Sequence, residues 1–295
     1  MKFAGIIAEY DPFHNGHAWQ LAQAKALGAE RVAVAMSCSL VQRGALPLLP
    51  EAVRTRSALT CGADLVFALP APCACAGAEA FARAGVALLA AAGCDGLVFG
   101  AETPDAALLM ETAELLDSGS YRAALKAQLA GGARSFAAAR QAAAAQLASD
   151  ERVAALLDKP NNNLAVEYCR AIRSLAPRME AYPLPRQGAN HGEALHSAHG
   201  QFASASALRK LWAEGGADAV APYVPEAVFP LYQEAYAAGQ YTDFSAAGRC
   251  ELALLRSACR GKAPFADIRG VSEGLEHRLE AAVRTSTTYD ELLDA

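Results

Sequence analysis

Short apolar runs return along this chain at a spacing that leaves room for one helix between each pair, and no other feature restricts the fold as strongly. FAGIIA at 3–8, RVAVAM at 31–36, LVFAL at 65–69 and GLVFG at 96–100 are strand-length and almost uninterrupted in their hydrophobicity. Runs of that kind belong to strands buried on both faces. Between them lie segments of helical period near 17–28, 51–61, 77–92 and 105–117. A helix between consecutive strands forces them parallel, with right-handed crossovers. The chain therefore predicts an α/β fold, a Rossmann-like parallel sheet whose ligands bind beyond the carboxyl ends of the strands. MEAYPLP at 179–185 reads as one further strand.

The rest of the chain divides by composition. From 121 to 157 the text is rich in alanine, the best helix former, with FAAARQAAAAQLAS at its centre. It reads as packed helices decorating the sheet, without functional signal of its own. After Pro222 the pattern turns helical, and Pro222, Pro225 and Pro230 mark a boundary. Residues 1–221 are thus expected to form the α/β domain and 222–295 a helical C-terminal domain. With 295 residues and 53% hydrophobic composition, a large core is available.

Charge and cysteine content remove other classes. A formal net charge of −5 provides no global field to hold nucleic acid, so RNA contact needs a local basic patch. Lys2, Arg54, Arg56 and Arg83 are candidates for a basic rim near the ligand edge of the sheet, although each alone reads as a solvated surface residue. Eight cysteines lie scattered, without CxxC pairs or zinc-site spacing, and read as reduced thiols. Met1 leads straight into a strand without a signal-like leader, and charges or glycines interrupt every apolar stretch before membrane-spanning length. The expectation is a cytoplasmic protein with no membrane association.

Chemistry concentrates in EYDPFHNGHAWQL at 9–21, which follows the first strand and opens the first helix. The backbone N–H groups of a helix start make an anion site, and Gly16 permits close backbone approach. His14 and His17 flank Asn15-Gly16, where both imidazoles are able to donate to phosphate oxygens. A helix N-terminus disfavours imidazolium, so at least one ring is expected to act as a neutral donor. The bland alternative is that one histidine caps the helix and the other fills a polar gap. A second helix start, SASALRK at 204–210, offers Ser204, Ser206 and Arg209 to an anion. Two such starts on one sheet suggest a polyphosphate bridging them.

HxGH after the first strand, together with the late S-x-S-x-x-R start, resembles the nucleotidylyltransferase superfamily. GIIAEYDPFHNGH, VQRG, LVFALP, FGAE, KPNNNLAVEYCRAI, FASASALRK and VSEGLEHRLEAA, in this order along the chain, narrow the resemblance to the tRNA(Met) cytidine acetate ligase family. The resemblance implies an ATP-dependent enzyme using Mg²⁺. Acetate would attack the α-phosphate of ATP to give acetyl-adenylate, and the acetyl group would pass to the wobble cytidine of elongator tRNA(Met) as N4-acetylcytidine. It assigns nucleotide binding to Ile7, Ala8, Glu9, Tyr10, Asp11, Pro12, Phe13, His14, Asn15, Gly16, His17, Ala18, Trp19 and Gln20, to Gly100, to Asn161 and Asn162, and to Arg186 and Gln187. His14, His17, Ser206 and Arg209 would carry the catalysis. Without the resemblance, Asn161 and Asn162 read equally well as a helix cap pair after Pro160. Gln42, Arg43 and Gly44 match a QRG loop open to phosphate, acetate or tRNA.

Departures from the family pattern are specific. Cys38 and Ser39 stand where a glycine and a polar or aromatic residue are expected, and Ala45 and Leu46 where an acidic residue and proline are expected. The second strand loop, and with it the acyl preference, is where this chain differs. The family pattern continues with a basic, aromatic segment after the ELL found here at 291–293, so the C-terminal domain reads as truncated and short of a tRNA-gripping surface. NHGEALHSAH at 190–199 could be drawn as a metal site through His191, Glu193, His196 and His199, but its glycines favour a loop closing over nucleotide. Two other functions fit HxGH: a small-molecule nucleotidylyltransferase, and a nucleotide- or RNA-binding module without catalysis.

Overall fold

The computed structural model describes residues 1–132, 135–185, 202–260, 265–268, 271 and 274–295. The strands are β1 (Phe3–Ala8), β2 (Arg31–Ser37), β3 (Leu65–Leu69), β4 (Gly96–Ala101) and β5 (Glu180–Pro185). The helices from the first strand to the fourth are α1 (Asn15–Ala26), α2 (Glu51–Thr60), α3 (Ala71–Ala74) and α4 (Ala78–Ala91). Between β4 and β5 come α5 (Ala106–Asp117), α6 (Gly119–Ala130), α7 (Phe136–Leu147), α8 (Arg152–Leu156) and α9 (Pro160–Leu175). Beyond β5 follow α10 (Ala205–Val220), α11 (Phe229–Ala237), α12 (Phe244–Ala258), α13 (Leu275–Thr285) and α14 (Tyr289–Asp294).

All strand pairings are parallel, in the order β3-β2-β1-β4-β5. Phe3 pairs with Arg31 and Ala8 with Met36, while Ala4 pairs with Gly96 on the other side of β1. The chain thus builds outward from β1 to β3, then returns to lay β4 and β5 on the opposite edge. That reversal beside β1 opens a crevice at the carboxyl ends of β1 and β4, where such sheets take ligands.

One face of the sheet carries Phe81, Val86 and Leu89 of α4, Leu109 of α5, and Val166 and Ile172 of α9. The other carries Leu21 of α1, Val53 of α2, Leu208 and Trp212 of α10 and Tyr232 of α11. Helix α4 approaches β1 closely enough that a Cβ on Gly85 would lie 2.5 Å from Ile7 Cδ1, so glycine is required there. The alanine-rich stretch folds as packed helices: Ser118 and Ser135 cap α6 and α7 through their hydroxyls, and Ala139, Ala143 and Ala144 are completely buried. Arg140 of α7 reaches Glu167 of α9 at 2.5 Å, and Arg170 pairs with the same carboxylate at 2.7 Å.

The compact α/β unit runs from Met1 to Tyr241, and a second unit from Thr242 to Ala295. The division therefore falls beyond the 221/222 boundary expected from the prolines. The physical reason lies in α11 and the segment before it: Val224, Val228 and Tyr232 are core residues, and the Tyr232 hydroxyl donates to the Phe13 carbonyl at 2.7 Å. Prolines at helix starts mark helix boundaries as readily as domain boundaries. The second unit has its own small core of Cys259, Phe265 and Val283, with Arg256 donating to the carbonyls of Val283 and Ser286. All eight cysteines are free thiols. Among the described residues no helix is long and apolar enough to cross a membrane.

Candidate active site

The segment after β1 is built to stop a strand and start a helix within a few residues. Tyr10 adopts a left-handed backbone conformation (φ 52°), and the Asp11–Pro12 peptide is cis. A left-handed tyrosine costs about 1–3 kcal/mol, and burial holds it there: Tyr10 is 1% exposed, with its ring edge-on to Phe13 at 4.9 Å and to His17 at 4.8 Å. Burial also drives the Tyr10 phenol far above its ordinary range. Asp11, likewise buried, accepts from the Leu48 N–H at 2.6 Å and from Arg209 Nη1 at 3.1 Å. Burial pushes its carboxyl up, opposed by Arg209, the Leu48 N–H and Arg54.

The two histidines cap α1 reciprocally. Gly16 N–H donates to His14 Nδ1 at 3.0 Å, and His14 N–H donates to His17 Nδ1 at 3.2 Å. The rings stack with centroids 3.8 Å apart. A ring nitrogen that accepts a hydrogen bond carries no hydrogen, so each neutral imidazole has its hydrogen on Nε2. The capping and the phosphate-donor readings are therefore compatible: Nδ1 serves the helix, and the ring hydrogen sits on Nε2. Gly16 has a further purpose beside the one expected. A Cβ there would sit 2.8 Å from His14 Cε1 and 3.0 Å from Nδ1, so glycine makes room for the folded-back ring.

A cavity of about 330 Å³ opens at this edge of the sheet. Of the stretch expected to bind nucleotide, Ile7, Ala8, Glu9, Tyr10, Asp11, His14, Gly16, His17, Trp19 and Gln20 line it; Pro12, Phe13, Asn15 and Ala18 do not. Phe13 is wholly buried in the core, and Asn15 reaches the Pro222 carbonyl at 3.3 Å. Gly100 and Gln42 are also in the lining, as are Ser204 and Ala205 at the start of α10. Ser206 hydrogen-bonds Ser204 hydroxyl to hydroxyl at 3.1 Å, and Arg209 donates to the Asp11 carbonyl at 2.7 Å, so both stand behind the lining. Arg186 and Gln187, together with the His191 to His199 cluster, lie outside the described residues.

The asparagine pair divides. Asn161 lines the cavity, with its side chain donating to Glu102 at 2.5 Å. Asn162 is 1% exposed and bridges to Thr103 through both its oxygen and its nitrogen, so its place is in the packing of the β4 end on α9. Glu102 also accepts the Asn161 and Asn162 backbone N–H groups, which caps α9 with a carboxylate.

Motif reading missed the apolar wall formed by Phe81, Phe99, Leu164, Tyr168 and Leu184. These come from α4, β4, α9 and β5, and only the crossover topology gathers them. Such a wall facing a polar turn suits a planar base at one end and phosphates at the other. Among the described residues no lysine or arginine lines the cavity, and no group of three histidine, cysteine or acidic side chains is placed to hold a metal. The two imidazoles and the start of α10 line the same cavity, and imidazole N–H and helix-start N–H groups are the kinds of donor that stabilise anions.

The proposed basic rim does not form. Arg54 is completely buried, Arg56 pairs with Glu234 at 3.6 Å, and Arg83 reaches the Ser174 hydroxyl at 3.2 Å on the α4 face. A buried position at 54 follows from the helix period, since Val53, Arg54, Ser57 and Ala58 share the inward stripe of α2.

Comparison with known proteins agrees with this geometry. The whole chain, residues 1–295, matches the model of the HIGH Nucleotidyl Transferase family. It is 37% identical over 298 residues to the tRNA(Met) cytidine acetate ligase of Syntrophotalea carbinolica, covering 100% of this chain and 70% of that protein. The crystal structure of Thermotoga maritima TmcAL bound with alpha-thio ATP superposes with a TM-score of 0.89 at 29% identity, covering 100% of this chain and 70% of that one. The apo form of the same protein gives a TM-score of 0.92 at 30% identity with the same coverage.

Proposed function

Because the chain belongs to the tRNA(Met) cytidine acetate ligase family of HIGH nucleotidyl transferases, we propose that it activates acetate at the α-phosphate of ATP and passes the acetyl group to the wobble cytidine of elongator tRNA(Met). The chain is an ATP-using tRNA cytidine acetate ligase. The steps and the residue roles are our reading. The single observation that supports them is the reciprocal cap, which puts the hydrogen of each neutral imidazole on Nε2 while His14 and His17 both line the cavity.

In the first step an acetate oxygen attacks the α-phosphorus, the bond from that phosphorus to the oxygen bridging to the β-phosphate breaks, and pyrophosphate leaves. Displacement at phosphorus asks the protein mainly to position and to stabilise charge. The Nε2–H groups of His14 and His17 would strengthen their bonds as charge moves onto the leaving phosphates. Neutral donors suit this role, since they need no proton transfer to reset after turnover. The apolar wall would take the adenine, with Gly100 leaving space beside β4, and Asn161 would contribute an amide at the same end. Ser204 lies where the α10 start faces the cavity; Ser206 and Arg209 would act from behind it, Arg209 by anchoring the Asp11 turn. In the second step the cytidine N4 attacks the acetyl carbonyl, AMP leaves, and the amine loses a proton.

Mg²⁺ fits this site as an ion brought by the nucleotide. The cavity carboxylates, Glu9 and Asp11, are both engaged in the loop scaffold, so the described residues supply no cage of their own. Mg²⁺ commonly keeps its waters and binds through substrate phosphates, where it supplies charge neutralisation. The test is ATP–pyrophosphate exchange with and without acetate. Exchange that depends on acetate supports the acyl-adenylate step; ATP binding without such exchange refutes it.

A further inference from the structure

Arg54 is a fully buried arginine that does not reach the cavity, yet every hydrogen bond it makes goes to a segment that builds the cavity. Nε donates to the Leu49 carbonyl at 2.9 Å, Nη1 to the Glu9 carbonyl at 2.7 Å and the Ser37 carbonyl at 2.6 Å, and Nη2 to the Cys38 carbonyl. Those carbonyls belong to the turn after β1, the end of β2 and the loop entering α2. A buried guanidinium is expensive unless its donors are satisfied, and here the satisfaction comes entirely from backbone at the ligand edge of the sheet.

Two further bonds tie the same segments. The Glu9 carboxylate accepts the Gln42 N–H at 2.6 Å, and the Asp11 carboxylate accepts the Leu48 N–H at 2.6 Å. Glu9, Asp11 and Gln42 all line the cavity. The position of the 42–48 loop relative to the histidine turn therefore passes through Glu9 and Asp11, and Arg54 holds the backbone from which Glu9 reaches out.

We propose that Arg54 is a positioning residue for the reaction: its guanidinium locks the turn after β1 to the loop after β2, so that the histidine turn and the Gln42 loop face a bound nucleotide in one fixed geometry. The proposal rests on the reading of the cavity as the ATP site. A lysine keeps the charge but presents its three hydrogens from one atom, so it cannot span carbonyls on both sides of the fork. Methionine fills similar space and satisfies none of them.

The experiment compares wild type, Arg54→Lys and Arg54→Met in acetate-dependent ATP–pyrophosphate exchange at a temperature well below melting, with circular dichroism as the folding control. Positioning predicts a kcat at least about thirtyfold lower in both variants, with the KM for ATP moving far less, because misalignment is felt at the reacting atoms. A merely structural arginine would lower the melting temperature and leave kcat of the folded enzyme within twofold, which overturns the proposal. A second measurement uses wild-type protein labelled with ¹⁵N-arginine, in which the protected Arg54 guanidinium signals should shift when ATP is added. If neither variant folds, that shift decides, and its absence overturns the proposal. If wild type shows no exchange, the acyl-adenylate reading fails separately, and Arg54 is again judged on the ATP-induced shift.

Discussion

Replacing Gly16 by alanine separates what the histidine turn does for the fold from what it does for chemistry. The new Cβ would lie 2.8 Å from His14 Cε1 and 3.0 Å from Nδ1, closer than side chains tolerate. Rotation of the ring to relieve this breaks the 3.0 Å bond from the Gly16 N–H and removes half of the reciprocal cap. Loss of a cap costs about 1 kcal/mol. Glycine to alanine inside a helix returns about 0.8–1 kcal/mol, and Gly16 lies in the first turn of α1. The two terms nearly cancel, so the melting temperature is expected to move by no more than about 2–4 °C. Chemistry has no such compensation. A displaced His14 ring no longer presents Nε2–H from a fixed place and no longer stacks on His17 at 3.8 Å. Misplacement on the scale of 1 Å costs about 10²-fold in rate, or about 2.7 kcal/mol. Acetate-dependent pyrophosphate exchange and thermal melting on the same preparation provide the two readouts. Full exchange activity at unchanged stability would refute the claim that the cap positions the donor, and a collapse in stability would refute the cancellation.

Three other outcomes are expected. Asn162→Ala should destabilise by about 1–3 kcal/mol, because it takes the partner from the half-buried Thr103 N–H and hydroxyl, whereas Asn161→Ala should weaken ATP binding with little change in melting; calorimetry and thermal denaturation separate them. Burial pushes the Cys38 and Cys61 thiols up to about 11 and those of Cys94 and Cys169 to about 12, so iodoacetamide at pH 8 should modify exposed Cys250 first, as read by peptide mass spectrometry. Lys25 holds the Asp64 carboxyl below its usual range through a 2.7 Å bond, so this pair stabilises above the unfolded carboxylate's pKa and loses its contribution as pH falls through the lower folded value. Asp64→Asn should therefore cost about 0.2–1 kcal/mol at pH 7, the range for solvent-accessible pairs, and progressively less on acidification in urea melts.

How far the residues themselves foretold this molecule depends on whether the information is local. The segments expected at 51–61, 77–92 and 105–117 appear as Glu51–Thr60, Ala78–Ala91 and Ala106–Asp117, because helix period and flanking turns are local properties. Helix α1 begins at Asn15 rather than near 17 for an equally local reason, since His14 and His17 are its caps and caps belong to the helix they start. The apolar wall was not legible. Phe81, Phe99 and the Leu164–Tyr168 pair of α9 are far apart in the chain and individually indistinguishable from core, and they meet only because β4 returns beside β1 while α4 and α9 cover one face. Arg54 failed in the opposite direction: its charge suggested a surface rim, while the inward stripe of α2 already contained it. A charged residue on an apolar stripe must find partners of its own, and at the carboxyl edge of a parallel sheet the partners available are strand-end carbonyls. The same edge supplies the ligand site, so a buried cation there ends up organising the loops that the ligand touches. Inward periodicity at the edge of a parallel sheet is thus a stronger guide to such a residue than charge, and it selects Arg54 over Arg56 two positions away.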